Sequence, residues 1–407
     1  MTASKRILVI SHLPILPATA GNRIRVWALM NNLRALGNDV WFMGLGLKPA
    51  EAQEIRKAWG DQLHVVPHVK ARHARPRLHA MKRWLLDRAV GAGWINAGLD
   101  YRLWPHWEDA IRKVAGDQRF DIVIVEYVFY SKALLYFDGA VKVIDTHDVF
   151  TDRAKKLRAR NIKSYYWNLR RGEEARGLAR ADVILAIQKH EAAFFNELTG
   201  GKKRVMVVGH TVALRPLPAP ESARHNLLFV GTSYAANVDG VKHFIERVLP
   251  LVRHKDVRLM VAGSVCQALK ADLPRVELLG VVDNLEEVYS RAGIVVNPVL
   301  IGTGLKTKTV EALGYAKPLV TTGCGAEGIE DAAGSAFLMA DDPAEMAGHL
   351  NALLDSPGRA SRLATDGFRF ASEWNEAQID ALRRLDHPAP DPAWTHQANC
   401  FVPISTW

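Results

Sequence analysis

Lys306 and Lys308 stand two residues apart, just after Gly302 and Gly304, and Glu311 follows three residues beyond Lys308. The run that holds them, NPVLIGTGLKTKTVEALGYAKPLVTT (297–322), passes from an apolar stretch through a glycine hinge into a helical pattern and on to a second apolar stretch. Asn297 and Pro298 close the first of these. Glycines let backbone N–H groups approach a ligand, and a helix beginning near Lys306 turns its positive end toward the same spot. Two mobile ammonium groups there suit a diphosphate. Glu311, one turn deeper on roughly the same helix face, can accept two hydrogen bonds from a ribose diol, so a nucleotide or a nucleotide-sugar fits. The competing reading is a plain strand–loop–helix with solvated lysines. The run lacks the close of a Walker loop, and its glycines do not fall at the dinucleotide offsets.

Other polar groups cluster where apolar runs end. VIDTHD (143–148) places Asp145, His147 and Asp148 after one such run, and Glu126 closes DIVIVEY (121–127). Taken alone, His147 reads as a loop histidine held by hydrogen bonds. Glu126 can accept a hydroxyl proton from an acceptor, or serve as a surface or capping carboxylate. Gly21, Asn22 and Arg23 open the first helix and either reach a cleft or merely start the helix. Glu327, in CGAEGI (324–329), can meet a donor sugar or phosphate, or be a solvated loop group. Glu173 and Glu174, in an Arg-rich helix, read as salt-bridged surface groups.

These residues need a scaffold that gathers strand ends. RILVIS (6–11), DVWFMGL (39–45), LHVVPH (63–68), FDIVIVEY (120–127), AVKVIDTHD (140–148), ADVILAIQ (181–188) and RVMVVGH (204–210) are short apolar runs of the buried-strand type. Helical stretches alternate with them; in the first, Val26, Leu29, Met30 and Leu33 recur at helix spacing, and Gly37 marks the stop. TVALRPLPAPESARHN (211–226), with three prolines and no apolar period, has the composition of a linker. The alternation then restarts with LLFVG (227–231), a helix over 238–253, VRLMVAG (257–263), VELLG (276–280), GIVVNPV (293–299), the helix from Lys306 and PLVTT (318–322). The expectation is α/β, with two doubly wound Rossmann-like domains: 1–210, a linker 211–226, 227–370, and a C-terminal helix and tail 371–407. In open parallel sheets, ligands collect beyond the carboxyl ends of the strands, so two such domains face each other across a cleft.

The chain's 407 residues allow two full cores, and its 48% hydrophobic and 24% charged residues are ordinary for a folded protein. No run of about 18 apolar residues suggests a membrane span. The opening MTASKRILVISHLP carries an apolar run too short for a signal-peptide core and reads as a first strand. Three scattered cysteines, Cys266, Cys324 and Cys400, form neither a metal spacing nor a disulfide framework, which fits a reducing cytosol. Much of the net charge of +10 sits in 68–94 and 152–176, where Lys and Arg mix with aromatics and leucines. An anionic membrane surface is the favoured partner, a solvated face the next; nucleic acid is weakest, since no nucleic-acid motif is present.

The segment EALGYAKPLVTTGCGAEGI (311–329), with its Gly-x-Gly-x-Lys-x-Lys lead-in, resembles the nucleotide-binding signature of family-4 glycosyltransferases, retaining enzymes of the GT-B fold, and within them bacterial exopolysaccharide sugar transferases. LLFVGTSYAANVDGVKHFIERVLP (227–250) and LPATAGNRIRVWALMNNLRALGNDV (16–40) are similar to the same group's second-domain opening and first helix. The resemblance implies a sugar transfer from a nucleotide-diphosphate donor to a saccharide or lipid-linked saccharide hydroxyl, with retention. It implies donor contacts at Gly21, Gly231, Gly302, Gly304, Lys306, Lys308, Glu311 and Glu327, and roles for His147, Lys308 and Glu126 in transfer. His147 would meet the transferred sugar. Many members carry two glutamates separated by seven residues; the second maps onto Glu311 and the first falls on Thr303. The Arg and Lys that clamp the diphosphate near the start of the second domain are missing from GTSYAANVDG (231–240), so Lys306 and Lys308 take that role. No metal or other cofactor is expected, because no Asp-x-Asp pair accompanies the donor site. The location implied is cytoplasmic, at the inner membrane face. Two rivals stay open: a nucleotide-sugar epimerase of the same architecture, and a degenerate nucleotide-sugar-binding scaffold subunit.

Overall fold

The computed structural model describes residues 4–386 apart from 18–20, 69–97, 101, 154, 156–166, 219 and 303. The basic stretch beyond His68, residues 156–166 of the second basic stretch, Thr303 and the tail beyond Asp386 lie outside the described residues.

The apolar runs of the first half form seven strands: β1 Arg6–Ser11, β2 Asp39–Leu47, β3 Leu63–Pro67, β4 Ile122–Glu126, β5 Val141–Asp145, β6 Val183–Ala186 and β7 Arg204–Val207. They make one parallel sheet in the order β3-β2-β1-β4-β5-β6-β7. Successive side chains point to opposite faces, and both faces are covered. In β1, Leu8 and Ile10 join one core while Ile7 and Val9 join the other; β4 divides the same way, Val123 and Val125 against Ile122 and Ile124. That double burial is why these strands read as continuous apolar runs.

The second half repeats the plan with β8 Asn226–Val230, β9 Arg258–Ala262, β10 Val276–Gly280, β11 Ile294–Asn297, β12 Leu319–Thr321 and β13 Leu338–Met339, in the order β10-β9-β8-β11-β12-β13. Its pairs are parallel too. Each sheet therefore has a switch point, between β1 and β4 and between β8 and β11, where the chain changes winding direction and leaves a crevice at the strand ends.

Four elements differ from the sequence reading. The helix expected over 238–253 starts at Ala235 and is α-helical only to His243; Phe244–Val248 widens into a π turn and Leu249–Leu251 tightens into a 3-10 turn. Pro250 explains this, since its ring cannot fit over the carbonyl four residues back in a regular helix. The two-residue β13 and the helix Pro343–Asp355, capped by Asp342, carry no counterpart in the reading above. The C-terminal helix is longer than expected and runs unbroken over Pro357–Arg383.

That long helix ties the halves together. Leu363 and Ala371 are buried in the second domain's cores, whereas Ala381 and Leu382 are buried in a core of the first. Midway, Trp374 Nε1 donates to the His210 carbonyl at 2.8 Å, Asn375 bonds both backbone groups of Val212 at 2.7 and 3.0 Å, and Gln378 Oε1 accepts from Gly209 N–H at 2.6 Å. The Pro-rich link is likewise pinned, Arg215 and Leu217 N–H donating to the Gly314 and Tyr315 carbonyls at 3.0 Å each. Gly209 is a glycine because a Cβ there would stand 2.2 Å from the Trp374 ring. Gly209→Ala is expected to destabilise the protein by about 1–3 kcal/mol through overpacking at the crossover. Urea denaturation of variant and parent measures it, and a shift under 0.5 kcal/mol would mean the ring moves aside freely.

Candidate active site

Adjacent strands bring two carboxylates together at the first switch point. Glu126 and Asp145 are register partners at the ends of β4 and β5, and both are fully buried. Two like charges side by side in a dry site need cations. Arg25, from the first helix Gly21–Ala35, supplies one: Nε donates to Asp145 Oδ2 at 2.8 Å and Nη2 to Asp145 Oδ1 at 2.5 Å. The same Nη2 donates to the Val208 carbonyl at 2.7 Å, so one guanidinium joins helix, sheet and crossover. His147 supplies the second partner, its Nε2 lying 2.5 Å from Glu126 Oε2 and 3.7 Å from Asp145 Oδ2. Burial, then the Asp145 charge, push the Glu126 carboxyl above the usual range, against the pull of His147.

His147 and Tyr127 are held in left-handed backbone, at φ 63° and 69°, where a side chain is costly to place. The result is a face-to-face stack, ring centres 4.1 Å apart and planes 5° off parallel. Asn22 Nδ2 donates to the Tyr127 hydroxyl at 3.2 Å. Beside them His12, just after β1, stacks on Tyr130 at 4.7 Å. Burial, then the charges of His147 and Arg102, pull the His12 imidazole down to about 3, so it is neutral at pH 7.

This wall bounds a cleft of about 460 Å³ lined from the first domain by Gly21, Asn22, His147, Asp148 and Trp167 among others, and from the second by Leu305 and Thr307. The starts of two helices meet here. A Cβ on Gly21, first residue of the first helix, would stand 3.7 Å from Thr307 Oγ1, first residue of the helix Thr307–Gly314. Two positive helix ends thus face one opening.

The second-domain wall is fixed from beneath. Asn297 Nδ2 donates to Thr309 Oγ1 at 2.9 Å, and that hydroxyl donates to the Gly325 carbonyl at 2.7 Å. On this base, Lys308 Nζ donates to Asn237 Oδ1 at 2.8 Å and lies 4.5 Å from the centre of the Phe229 ring. Burial pulls the Lys308 ammonium down to about 7; Glu311 opposes the fall and Lys306 adds to it. Glu311 accepts from the Tyr289 hydroxyl at 3.2 Å, and burial pushes its carboxyl up. Lys306 Nζ donates to the Gly304 carbonyl at 2.6 Å and to Glu327 Oε2 at 3.0 Å. Gly302 and Gly304 flank that loop, Gly304 at φ 75°. Gly231 closes β8, and its carbonyl accepts from Val265 N–H at 3.2 Å.

The sequence candidates therefore fall into two groups. Gly21 and His147 line the cleft; Lys306, Lys308, Glu311, Glu327, Gly231, Gly302 and Gly304 surround the helix tip on the second-domain side and are not among the groups lining that cavity. Glu126, expected to take a proton from an acceptor or to sit as a surface or capping carboxylate, is not a surface group: it is fully buried, hydrogen-bonded to His147 and not among the groups lining the cleft. Glu174 is corrected too. It is buried, not a surface group, and accepts from Phe150 N–H at 3.0 Å and Thr151 N–H at 2.7 Å, while Glu173 bonds the start of its own helix. Arg23 lies off the cleft, and Arg25 is the arginine of that helix which meets the strand ends. Its signal was visible as a charge four residues before Leu29, inside the apolar stripe. Tyr127, His12, Asn237 and Tyr289 carried no pattern of their own.

Among the described residues, the His, Cys, Asp and Glu groups close enough to share an ion are Glu126–Asp145–His147 and His225–His254–Asp256. In the first, Arg25 bonds both Asp145 oxygens and His147 bonds Glu126 Oε2, while Glu126 Oε1 has no hydrogen-bond partner.

Comparison with known proteins agrees with this geometry. The sequence model of the family described as "Glycosyl transferases group 1" matches residues 224–356, the second domain. An uncharacterized 44.6 kDa protein in the cps region of Klebsiella pneumoniae is 24% identical over 208 residues, covering 47% of this chain and 52% of that protein. The chain thus matches about half the length of that relative. Among solved structures, sucrose-phosphate synthase from Thermosynechococcus elongatus aligns at TM-score 0.66 and 15% identity over 94% of this chain and 98% of its own. HepE from Anabaena, in complex with UDP and glucose, aligns at 0.62 and 12% over 94% and 100%. The architecture is that of the GT-B fold, two parallel-sheet α/β domains about a cleft.

Arg25→Met strands Asp145 beside Glu126, and the expected loss is about 3–5 kcal/mol of stability. Adding Asp145→Asn should recover part of it, because the uncompensated charge is gone. Equal and additive losses in the two single variants and the double variant, read by urea denaturation, would show the pair to be uncoupled.

Proposed function

We propose that this chain is a glycosyltransferase that moves a sugar from a nucleotide-diphosphate donor to a hydroxyl of a saccharide or lipid-linked saccharide acceptor, with retention, in bacterial cell-surface polysaccharide biosynthesis. The observation that carries the reading is the meeting of two helix starts across the cleft, with His147 on the same opening. The match of the second domain to the glycosyltransferase group 1 family, the cps-region relative and the UDP complexes of HepE support it.

The chemistry follows from the charges. Breaking the sugar–oxygen bond loads negative charge onto the departing diphosphate. Lys308, Lys306 and the amides at the start of the helix Thr307–Gly314 face that charge, which is electrostatic stabilisation of a leaving group. Lys306 reaches it by leaving Glu327. Glu311, one turn down, takes the ribose hydroxyls. On the opposite wall His147, oriented by Glu126 and by the Tyr127 stack, meets the transferred sugar as positive charge develops there. No metal or cofactor is part of the scheme. Contact with an anionic membrane through 68–94 and 152–176 completes the reading; stronger sedimentation with anionic than with neutral vesicles is expected, and equal binding removes that element.

Lys308→Ala should lower kcat/KM by about 10²-fold, and Glu311→Ala should weaken nucleoside diphosphate binding about tenfold, each with the fold intact. Because the Lys308 ammonium sits at about 7, its charge is present below that pH and lost above it. Donor affinity should therefore fall as pH rises through about 7, and Lys308→Arg should flatten the profile. Product analysis with and without saccharide acceptors is the direct test: transfer that needs an acceptor supports the proposal, while acceptor-independent consumption of the donor points to an epimerase. Parent-like turnover in both alanine variants means the site is misplaced.

A further inference from the structure

Glu191 is an expense the fold does not explain. It lies in the first turn of the helix Lys189–Leu198, which follows β6, and is only 4% exposed. Neither carboxylate oxygen has a well-formed hydrogen bond, the backbone of Ile187 giving only a weak pull. A dry carboxylate without donors is among the costliest groups a core can hold. Burial pushes its carboxyl well above the usual range, with the charges of Asp148 and Glu327 adding to the rise. The cations nearby are spent: Arg25 on Asp145 and Val208, Lys306 on Gly304 and Glu327, Arg153 on Asp148 at 3.0 Å.

Its position names its partner. Glu191 Oε1 would be 3.5 Å from a Cβ on Gly304, and the same point lies 3.7 Å from the His147 carbonyl oxygen. The carboxylate of the first domain thus aims at the glycine loop that leads to Lys306, beside the cleft residues His147, Asp148, Ile187 and Leu305. Glu191, Asp148 and Glu327 present carboxyl oxygens that accept hydrogen bonds, and a Glu191 carboxyl that keeps its proton can also donate one. They are also not among the described groups close enough to cage an ion. A ligand that matches such a surface brings several hydroxyl donors.

Resting on the donor reading above, we infer that Glu191 accepts hydroxyl hydrogen bonds from the sugar of the nucleotide-sugar and so sets which sugar is transferred, while the diphosphate and nucleoside are held by the second domain. Bare diphosphate does not reach Glu191; the conjugate does. The unpartnered group is then the cost of a site kept ready for its ligand.

Calorimetric titration of the full chain with three pairs, UDP and UDP-glucose, GDP and GDP-mannose, ADP and ADP-glucose, tests this. For the pair the parent binds, Glu191→Gln and Glu191→Leu should each keep the diphosphate Kd within about twofold and weaken the conjugate about tenfold or more. Both variants should also raise the melting temperature of the ligand-free protein, since a costly buried group is removed; a structural role would lower it. Equal weakening of diphosphate and conjugate, an unchanged conjugate Kd, or a lowered melting temperature overturns the inference. A parent that binds none of the pairs overturns instead the donor reading beneath it, and this inference with it.

Discussion

One buried guanidinium holds the first-domain wall of the cleft in shape. Arg25 neutralises Asp145, which otherwise faces Glu126 across adjacent strands, and the same group bonds the Val208 carbonyl where the chain leaves the first domain. The start of the first helix, the ends of β4 and β5 and the crossover are therefore one unit. Because the charges are dry, none can be moved or lost cheaply. That rigidity fixes His147 in an otherwise unfavourable left-handed backbone, with its ring clamped between Glu126 and Tyr127.

The second wall is built by different means. A neutral polar network of Asn297, Thr309 and the Gly325 carbonyl seats the start of the helix Thr307–Gly314; above it Lys308 bonds Asn237 and lies over the Phe229 ring, and Lys306 bonds the Gly304 carbonyl and Glu327. A wall built on buried ion pairs thus opposes one built on neutral polar groups that carries two lysines. Ion pairs also bridge the halves at the rim, Lys189 with Glu330 at 3.4 Å and His190 with Glu330 at 2.9 Å. In the proposed reaction the first wall would meet the sugar and the second the departing diphosphate, a division that follows from which wall carries the two lysines and the start of the helix Thr307–Gly314.

Much of the fold was legible because strands buried on both faces leave unbroken apolar runs, and every strand of the first sheet coincides with such a run. The elements that escaped were short or locally distorted: β13 has two residues, and Pro250 unwinds the end of its helix. At the site, residue types with obvious chemistry were legible, and their environments were not. Glu126 and Glu174 were visible as carboxylates, but whether a strand-end or helical carboxylate faces water depends on partners 21 to 24 positions away in sequence, His147 for one and Phe150 and Thr151 for the other. Glu191 gave no sign at all, since nothing local marks a helix glutamate as buried against a loop more than a hundred residues distant. Arg25 is the instructive case: an arginine within an apolar helix stripe demands a buried partner, and that rule could have found it.

The account stands on an anion held between two helix starts. A crystal structure of the chain with the nucleoside diphosphate that binds it best measures this directly. The diphosphate is predicted to lie against the amides at the start of Thr307–Gly314, within reach of Lys308, and opposite Gly21. Density for the nucleotide in any other crevice, with that opening vacant, would contradict it.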